Sequence, residues 1–303
     1  MSIPFVRDFE YEYGRCDQLS PLVRRVIAPN PGPFTYTGTG TYIIGSKASG
    51  GNVAVVDPGP LLDEHLEAIL DALDEGEQVT HILITHTHSD HSPLARPLQE
   101  KTGAKIYGYG PHGSGKDDDD VKIEEGGDMG FTPDIELRDG DIVEGDGWTV
   151  EAVWTPGHTS NHLCFSLREE KILFPGDHVM GWSTSVISPP DGDMDQYMSS
   201  LDKLLTRDEV RYWPTHGPCI DNPQSFVQSF IDHRLARDAQ IIACLKDGAD
   251  TIGAMVPIMY KDVDARLHPA AARSVLAHIE RLVKRGTLTT EDAVGVNARY
   301  RLG

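Results

Sequence analysis

His86, His88, Asp90 and His91 fall within six consecutive residues, His86-Thr87-His88-Ser89-Asp90-His91. Imidazole nitrogen and carboxylate oxygen are the donors that divalent zinc takes at about 2.0 to 2.2 Å, and a catalytic zinc site leaves one position open for water. The single residue between His86 and His88 lets an extended segment send both imidazoles to one side, with Asp90 and His91 following on the next turn. Four such groups packed together without a cation would be costly to desolvate. The cluster therefore reads as a metal site rather than a merely polar loop. Zinc fits these donors first; iron and manganese accept the same set.

The surrounding elements place this cluster where ligands bind. Residues 41–44 and 53–57 read as two strands of a hairpin, joined by the turn region 45–52. Leu62, Leu66, Ile69, Leu70 and Leu73 then recur at helical spacing. Residues 79–85 return as a mostly apolar strand, apolar on both faces and hence buried. It runs straight into His86, so the cluster is a loop at the carboxyl end of a buried strand, the usual ligand position in α/β proteins. Strands resume at 148–154, 162–167 and 171–174, and the turns bounding them hold His158 and Asp177. Residues 111–134, rich in Gly and Asp and including Asp117 to Asp120, read as a solvated loop. Phe226, Phe230, Ile231, Leu235, Ile241, Ile242 and Leu245 mark a long connector helix over 223–246. Beyond it the pattern is a helix at 252–260, a second from 269 to 285 ending at Gly286, and a β-ribbon at 287–302. The expected division is a catalytic domain, 1–246, and a small winged-helix-like domain, 247–303.

With 303 residues, 39% of them apolar, the chain can bury a full core. No run approaches the length of a membrane span, and the start lacks a basic region followed by an apolar stretch, so a cytoplasmic protein is expected. Cys16, Cys164, Cys219 and Cys244 form no CxxC pair and read as reduced thiols. The formal charge of −20 lowers the expectation of a polyanionic substrate, because gripping nucleic acid takes cations that replace the phosphate counterions. Residues 249–303 hold eight Lys or Arg against six Asp or Glu, a surplus of two, which leaves −22 on the rest. Arg273, Arg281, Lys284 and Arg285 on the second tail helix are the contacts that a nucleic-acid-binding role would use. The alternatives are a cap over the active-site face or a contact in a homodimer.

Asp57 in Val-Val-Asp-Pro-Gly, the cluster of His86, His88, Asp90 and His91, His158 in Thr-Pro-Gly-His-Thr, Asp177 in Phe-Pro-Gly-Asp-His and His216 in Pro-Thr-His-Gly-Pro resemble, in this order, the motifs of the metallo-β-lactamase superfamily. That superfamily also includes glyoxalase II, lactonases, thioesterases and RNase Z. The resemblance spans most of the chain and implies an α/β fold, the αββα sandwich. In it His86, His88 and His158 would hold one metal, Asp90, His91 and His216 the other, with Asp177 bridging them. A bridging carboxylate resembles the glyoxalase and nuclease branches; true β-lactamases lack it, which leaves β-lactam hydrolysis as a weak side activity at most. His233-Arg234-Leu235-Ala236-Arg237, followed by the winged-helix-like segment, resembles the lactamase-β-like-2 subgroup, whose members include an endoribonuclease and relatives associated with thioester cleavage. His233, Arg234 and Arg237 themselves read as helix-packing or interdomain groups.

Two cations about 3.5 to 4 Å apart lower the pKa of water toward neutrality and polarise a scissile carbonyl or phosphoryl oxygen. Hydroxide is then the nucleophile, and Asp90 is the catalytic residue expected to orient it and pass its proton to the leaving group. Asp57 is placed to accept from the second nitrogen of a ligating imidazole, and His162 and His178 sit near enough to the ligands to support them or touch substrate. His65, His112, His268 and His278 read as solvated or packed, His81 as structural, and Tyr36 and Thr37 as loop packing beside the pocket. The leading expectation is hydrolysis of a small ester, thioester or lactone by a dinuclear zinc centre; the alternative is a single-strand endoribonuclease.

Overall fold

β1 (Cys16–Gln18), β2 (Val23–Ile27), β3 (Gly40–Ile44), β4 (Asn52–Val56), β5 (Gln78–Leu83), β6 (Lys105–Gly108) and β7 (Ile135–Glu136) form one sheet, with its strands in chain order. These elements come from a computed structural model, which describes residues 3–113 and 126–303; Asp117 to Asp120 lie outside them. β1 to β4 pair antiparallel and β4 to β7 parallel, with helices α1 (Asp63–Asp71) and α2 (Ala95–Thr102) as crossovers. A second sheet runs in the order β12-β11-β10-β9-β8, from β8 (Ile142–Gly145), β9 (Trp148–Trp154), β10 (Leu163–Leu167), β11 (Ile172–Phe174) and β12 (Arg211–Tyr212).

Successive strand residues face opposite sides of a sheet, and here both sides are apolar. Tyr42, Ile44, Ala54 and Val56 meet Trp148, Phe165 and Phe174 between the sheets. Ile43, Val53 and Val55 pack outward against Leu66 and Ile69 of α1 and Leu98 of α2. On the far side, Val153, Cys164 and Leu173 pack against α3 (Met194–Leu205) and α4 (Pro223–Lys246) through Tyr197, Leu201 and Phe230. The layers are helix, sheet, sheet, helix, the αββα sandwich. Tyr42, Trp148, Phe165 and Phe174 are at most 1% exposed, and each such side chain stabilises the fold by roughly 1.5–3 kcal/mol.

Beyond α4, α5 (Ile252–Met259) and α6 (His268–Lys284) pack with the ribbon of β13 (Leu288–Thr289) and β14 (Arg301–Leu302) around Ile252, Met255, Val275, Ile279 and Tyr300. Ile241 and Cys244 of α4 belong to the same cluster, so the connector helix is shared by both cores. Among the described residues no helix is long and apolar enough to cross a membrane.

β2 carries no clear strand signal in the sequence because Arg24 and Arg25 interrupt its apolar run, yet both are buried. Arg24 Nη2 pairs with Glu77 at 2.8 Å, and Arg25 lies over the Phe9 ring at 5.5 Å. The tail cations Arg273, Arg281, Lys284 and Arg285 make contacts toward the sandwich. Arg281 pairs with Asp238 of α4, Arg285 Nη2 reaches Asp195 of α3 at 2.6 Å with Lys284 Nζ at 3.8 Å, and Arg273 Nη2 donates to Pro189 O at 2.8 Å. The basic face of α6 is matched to acids on α3 and α4, and that complementarity is invisible until the helices pack.

Candidate metal centre

Asp57 sets up the loop that follows β5. Thr85 N and Oγ1 donate to its Oδ1 and Oδ2 at 2.8 and 2.6 Å. Thr85 O accepts from Leu163 N at 2.7 Å, which ties the loop to the second sheet. Asp57 is fully buried with φ +46°, a left-handed conformation that Asp tolerates better than most residues. Its geometry sends His86, His88, Asp90 and His91 inward, where His158, Asp177 and His216 arrive from the loops after β9, β11 and β12.

All seven residues converge, in overlapping groups whose donor atoms lie within 4.8 Å of one another: His86, His88 and His158; His86, His91 and Asp177; Asp90, His91 and His216. In the first, His88 Nδ1 is 3.0 Å from His86 Nε2 and 3.2 Å from His158 Nε2. In the last, Asp90 Oδ2 is 3.0 Å from His216 Nε2 and 3.3 Å from His91 Nε2. Asp177 faces both halves: Oδ1 is 3.4 Å from His216 Nε2, and Oδ2 is 3.9 Å from His158 Nε2.

The outer ring nitrogens settle which lone pairs face inward. His91 Nδ1 donates to Asp57 Oδ2 at 2.9 Å, His158 Nδ1 to Val186 O at 2.7 Å and His216 Nδ1 to Gly38 O at 3.1 Å. Thr85 Oγ1 spends its proton on Asp57, so it accepts from His86 Nδ1 at 3.0 Å. Each of these rings therefore presents an unprotonated Nε2 to the centre when neutral. Nitrogens crowded in this way repel unless a cation lies among them, and tetrahedral ligands at about 2.05 Å stand roughly 3.3 Å apart. His91 Nε2 and Asp177 Oδ1, both buried, have no hydrogen-bond partner among the described residues. The donor set thus fits divalent cations.

The two halves differ in charge. Burial, reinforced by the neighbouring imidazoles, pushes the pKa of His86 and His88 well below the ordinary range. Burial also opposes charge on His91 and His216, but Asp90 and Asp177, with Asp57 for His91, outweigh it; His91 goes well up and His216 up to about 10. Asp90 and Asp177 are correspondingly held ionised by His91 and His216 despite their burial. The carboxylate-rich half draws positive charge, by proton or by metal, while His86 and His88 resist protonation and keep their lone pairs available.

Other sequence-flagged residues take varied places. His162 stacks on His86 with centroids 5.1 Å apart and bonds Thr155 through Nδ1 at 2.9 Å. His178 points behind the site against Tyr197, and neither of its ring nitrogens has a hydrogen-bond partner among the described residues. Burial lowers its pKa to about 3. His112 bonds Thr87 at 2.8 Å, beside the cluster, and His278 is buried on Asp238 at 2.7 Å. Tyr36 stacks on Trp182 at 4.7 Å, one layer outside the pocket wall. The wall itself includes Phe34, Met180, Trp182 and Val186. Sequence reasoning missed these residues and the supporting carbonyls of Gly38 and Val186, because a backbone carbonyl carries no residue signature.

Two facing sheets between helices, with a buried His and Asp cluster at the carboxyl end of a central strand, define an α/β protein with a candidate metal site. Residues 38–216 match the metallo-beta-lactamase superfamily and residues 251–295 the beta-lactamase associated winged helix domain; the chain belongs to the metallo-beta-lactamase superfamily. It is 32% identical over 279 residues to a Beta-lactamase-like protein 2 homolog of Caenorhabditis elegans, covering 90% of this chain and 88% of that protein. An Atrochrysone carboxyl ACP thioesterase of Cryptosporiopsis sp. is 28% identical over 307 residues, covering 95% of this chain and 87% of that one. Among solved structures, a Beta-lactamase domain protein from Burkholderia ambifaria shares the fold with TM-score 0.81 at 22% identity, over 98% of this chain and 96% of that one.

Proposed function

We propose that the chain is a two-metal hydrolase, with zinc as the first choice of metal, acting on a small ester, thioester or lactone with an apolar acyl group. The observation that carries this reading is the pocket above the donor cluster. Phe34, Met180, Trp182 and Val186 line it beside His88, Asp90, His158, Asp177 and His216, and among the described residues no Lys or Arg does. A phosphodiester substrate brings negative charge that this wall does not answer, whereas a neutral acyl carbonyl needs only the cluster and an apolar seat. The thioesterase named for the Cryptosporiopsis relative agrees with this substrate class.

In this reading His86, His88 and His158 would hold one ion and Asp90, His91 and His216 the other, with Asp177 available to both. When bound, two divalent cations lower the pKa of water toward neutrality and polarise the oxygen of the scissile group. Asp90, steadied by Thr39 Oγ1 at 3.1 Å and facing the pocket, takes the proton from the attacking water and returns it to the departing oxygen or sulfur. Asp57 holds His91 in one tautomer. Phe34, Met180 and Trp182 seat the acyl chain and exclude bulk water.

The test is metal analysis of the purified protein with a panel of an acyl thioester, a lactone, a cephalosporin and a single-stranded RNA, with Asp90→Ala as control. Two metals per chain and Asp90-dependent acyl cleavage are expected. Cleavage of RNA with the acyl substrates untouched would move the assignment to an endoribonuclease, and absence of metal would overturn the reading.

A further inference from the structure

The C-terminal segment reaches the donor cluster through residues 183–190, which form one wall of the pocket with Ser183, Thr184 and Val186. This stretch also holds two of the converging residues from behind. Val186 O accepts from His158 Nδ1 at 2.7 Å. Ser185 Oγ, 2% exposed, shares its proton between Asp177 O at 2.5 Å and His178 O at 2.8 Å. Tyr197 OH donates to the same His178 carbonyl at 2.8 Å.

Arg234 of α4 closes this arrangement. It is 3% exposed, its Nη2 donates to Ser185 O at 2.5 Å, and its guanidinium carbon lies 5.1 Å from the centre of the Tyr197 ring. Among the described residues no carboxylate lies within ion-pair distance of it. The nearby acid, Asp238, is bonded instead to His278 and Arg281 of α6. A buried cation without an anionic partner is costly, and here the compensation comes from the carbonyl of Ser185 and the ring of Tyr197, two residues whose hydroxyls both donate to His178 O, next to Asp177. Arg273 of α6 holds the other end of the stretch, with Nη2 to Pro189 O at 2.8 Å.

We infer that Arg234 is a positioning residue for the metal centre, acting through Ser185 on Asp177 and His158, and that the C-terminal segment maintains this contact from α6. The inference rests on the metal-centre reading proposed above. It gives the winged-helix segment a task inside this chain, holding the 183–190 wall at the distance that keeps two donors aimed inward.

The experiment measures zinc affinity by chelator competition, and the visible spectrum of the cobalt-loaded protein, for Arg234→Met, Arg234→Lys, Ser185→Ala and the double variant Arg234→Met/Ser185→Ala. Arg237→Ala serves as control, since Arg237 lies on the same helix but faces Tyr260 and Met259 O. Loss of a group that orients a ligand costs about 10- to 100-fold in metal affinity. Arg234→Met is expected to lose about tenfold with a shifted cobalt spectrum, Arg234→Lys to recover part of it, and Arg237→Ala to stay at wild type. The double variant should lose more than either single, because Arg234 holds the Ser185 carbonyl, which alanine keeps, while the hydroxyl holds Asp177 O. If Arg234→Met does not fold, Arg234→Lys, which cannot reproduce the guanidinium's placement on Ser185 O, carries the expectation of a measurable loss, and an unchanged affinity and spectrum in it would count as the overturning result. Wild-type affinity and spectrum in Ser185→Ala and in a folded Arg234→Met would overturn the inference. A wild-type protein that binds no metal would instead fail the metal-centre reading itself.

Discussion

Asp57→Asn tests the electrostatic design of the site with the least disturbance of the backbone. Asn, like Asp, tolerates the left-handed φ of +46°, so strain does not confound the result as it would with Ala. The carboxylate accepts from Thr85 N at 2.8 Å through Oδ1, and through Oδ2 from Thr85 Oγ1 at 2.6 Å, His91 Nδ1 at 2.9 Å and Thr215 Oγ1 at 3.3 Å. An amide must turn its NH2 toward one of these two sets of donors and leave at least one buried donor unpaired. That costs about 1–3 kcal/mol. The expected fall in metal affinity of about 10- to 100-fold corresponds to about 1.4–2.7 kcal/mol, within the same range. The loss should fall mainly on the ion held by His91, because His86 feels Asp57 only indirectly through Thr85 Oγ1. Stepwise zinc titration against chelators of graded affinity resolves the two events. Equal losses at both, or no loss at either, would refute the assignment of Asp57 as the group that orients His91.

His65, bonded to Thr41 Oγ1 at 2.8 Å, has its pKa lowered to about 4 by burial. The folded state therefore resists a proton that the unfolded chain takes up below about pH 6.5, and stability is lost as pH falls from there toward 4. Urea unfolding of wild type and His65→Gln at matched metal content should show wild type losing about 3 kcal/mol more between pH 7 and 4; parallel pH profiles would count against this. Gly157, at φ +136°, lies where a Cβ would overlap the backbone of Tyr197. Gly157→Ala should destabilise by about 3 kcal/mol or more, from strain and overlap together. A change below about 1 kcal/mol in chemical denaturation would show that α3 yields easily.

Much of the site was legible in the residues themselves. His86, His88, Asp90 and His91 lie within six residues, so their chemistry needed no tertiary information, and the two-sided apolar strand before them already placed the loop at the carboxyl end of a buried strand. The hairpin of β3 and β4 and the two tail helices were legible for a similar reason, since hydrophobic periodicity is local. β2 was not, because Arg24 and Arg25 look exposed until Glu77 and the Phe9 ring close over them. The task of α3 was hidden as well: its contribution is to carry Tyr197 and Asp195 to partners far away in the chain.

The sequence by itself determined the kind of donors present and their order, which follow from residue identity and short spacing. Only the tertiary structure decided how those donors are aimed. Asp57 meets His91 across 34 residues, Val186 O meets His158 across 28, and Gly38 O meets His216 across 178. Hydrogen bonds to carbonyls leave no trace in residue type, and ion pairs between distant helices become readable only when packing brings the partners within a few ångströms. The tail shows the same division. Its helices were written in periodicity, whereas the direction in which Arg273, Arg281 and Arg285 point was fixed by acids and carbonyls on the other side of an interface.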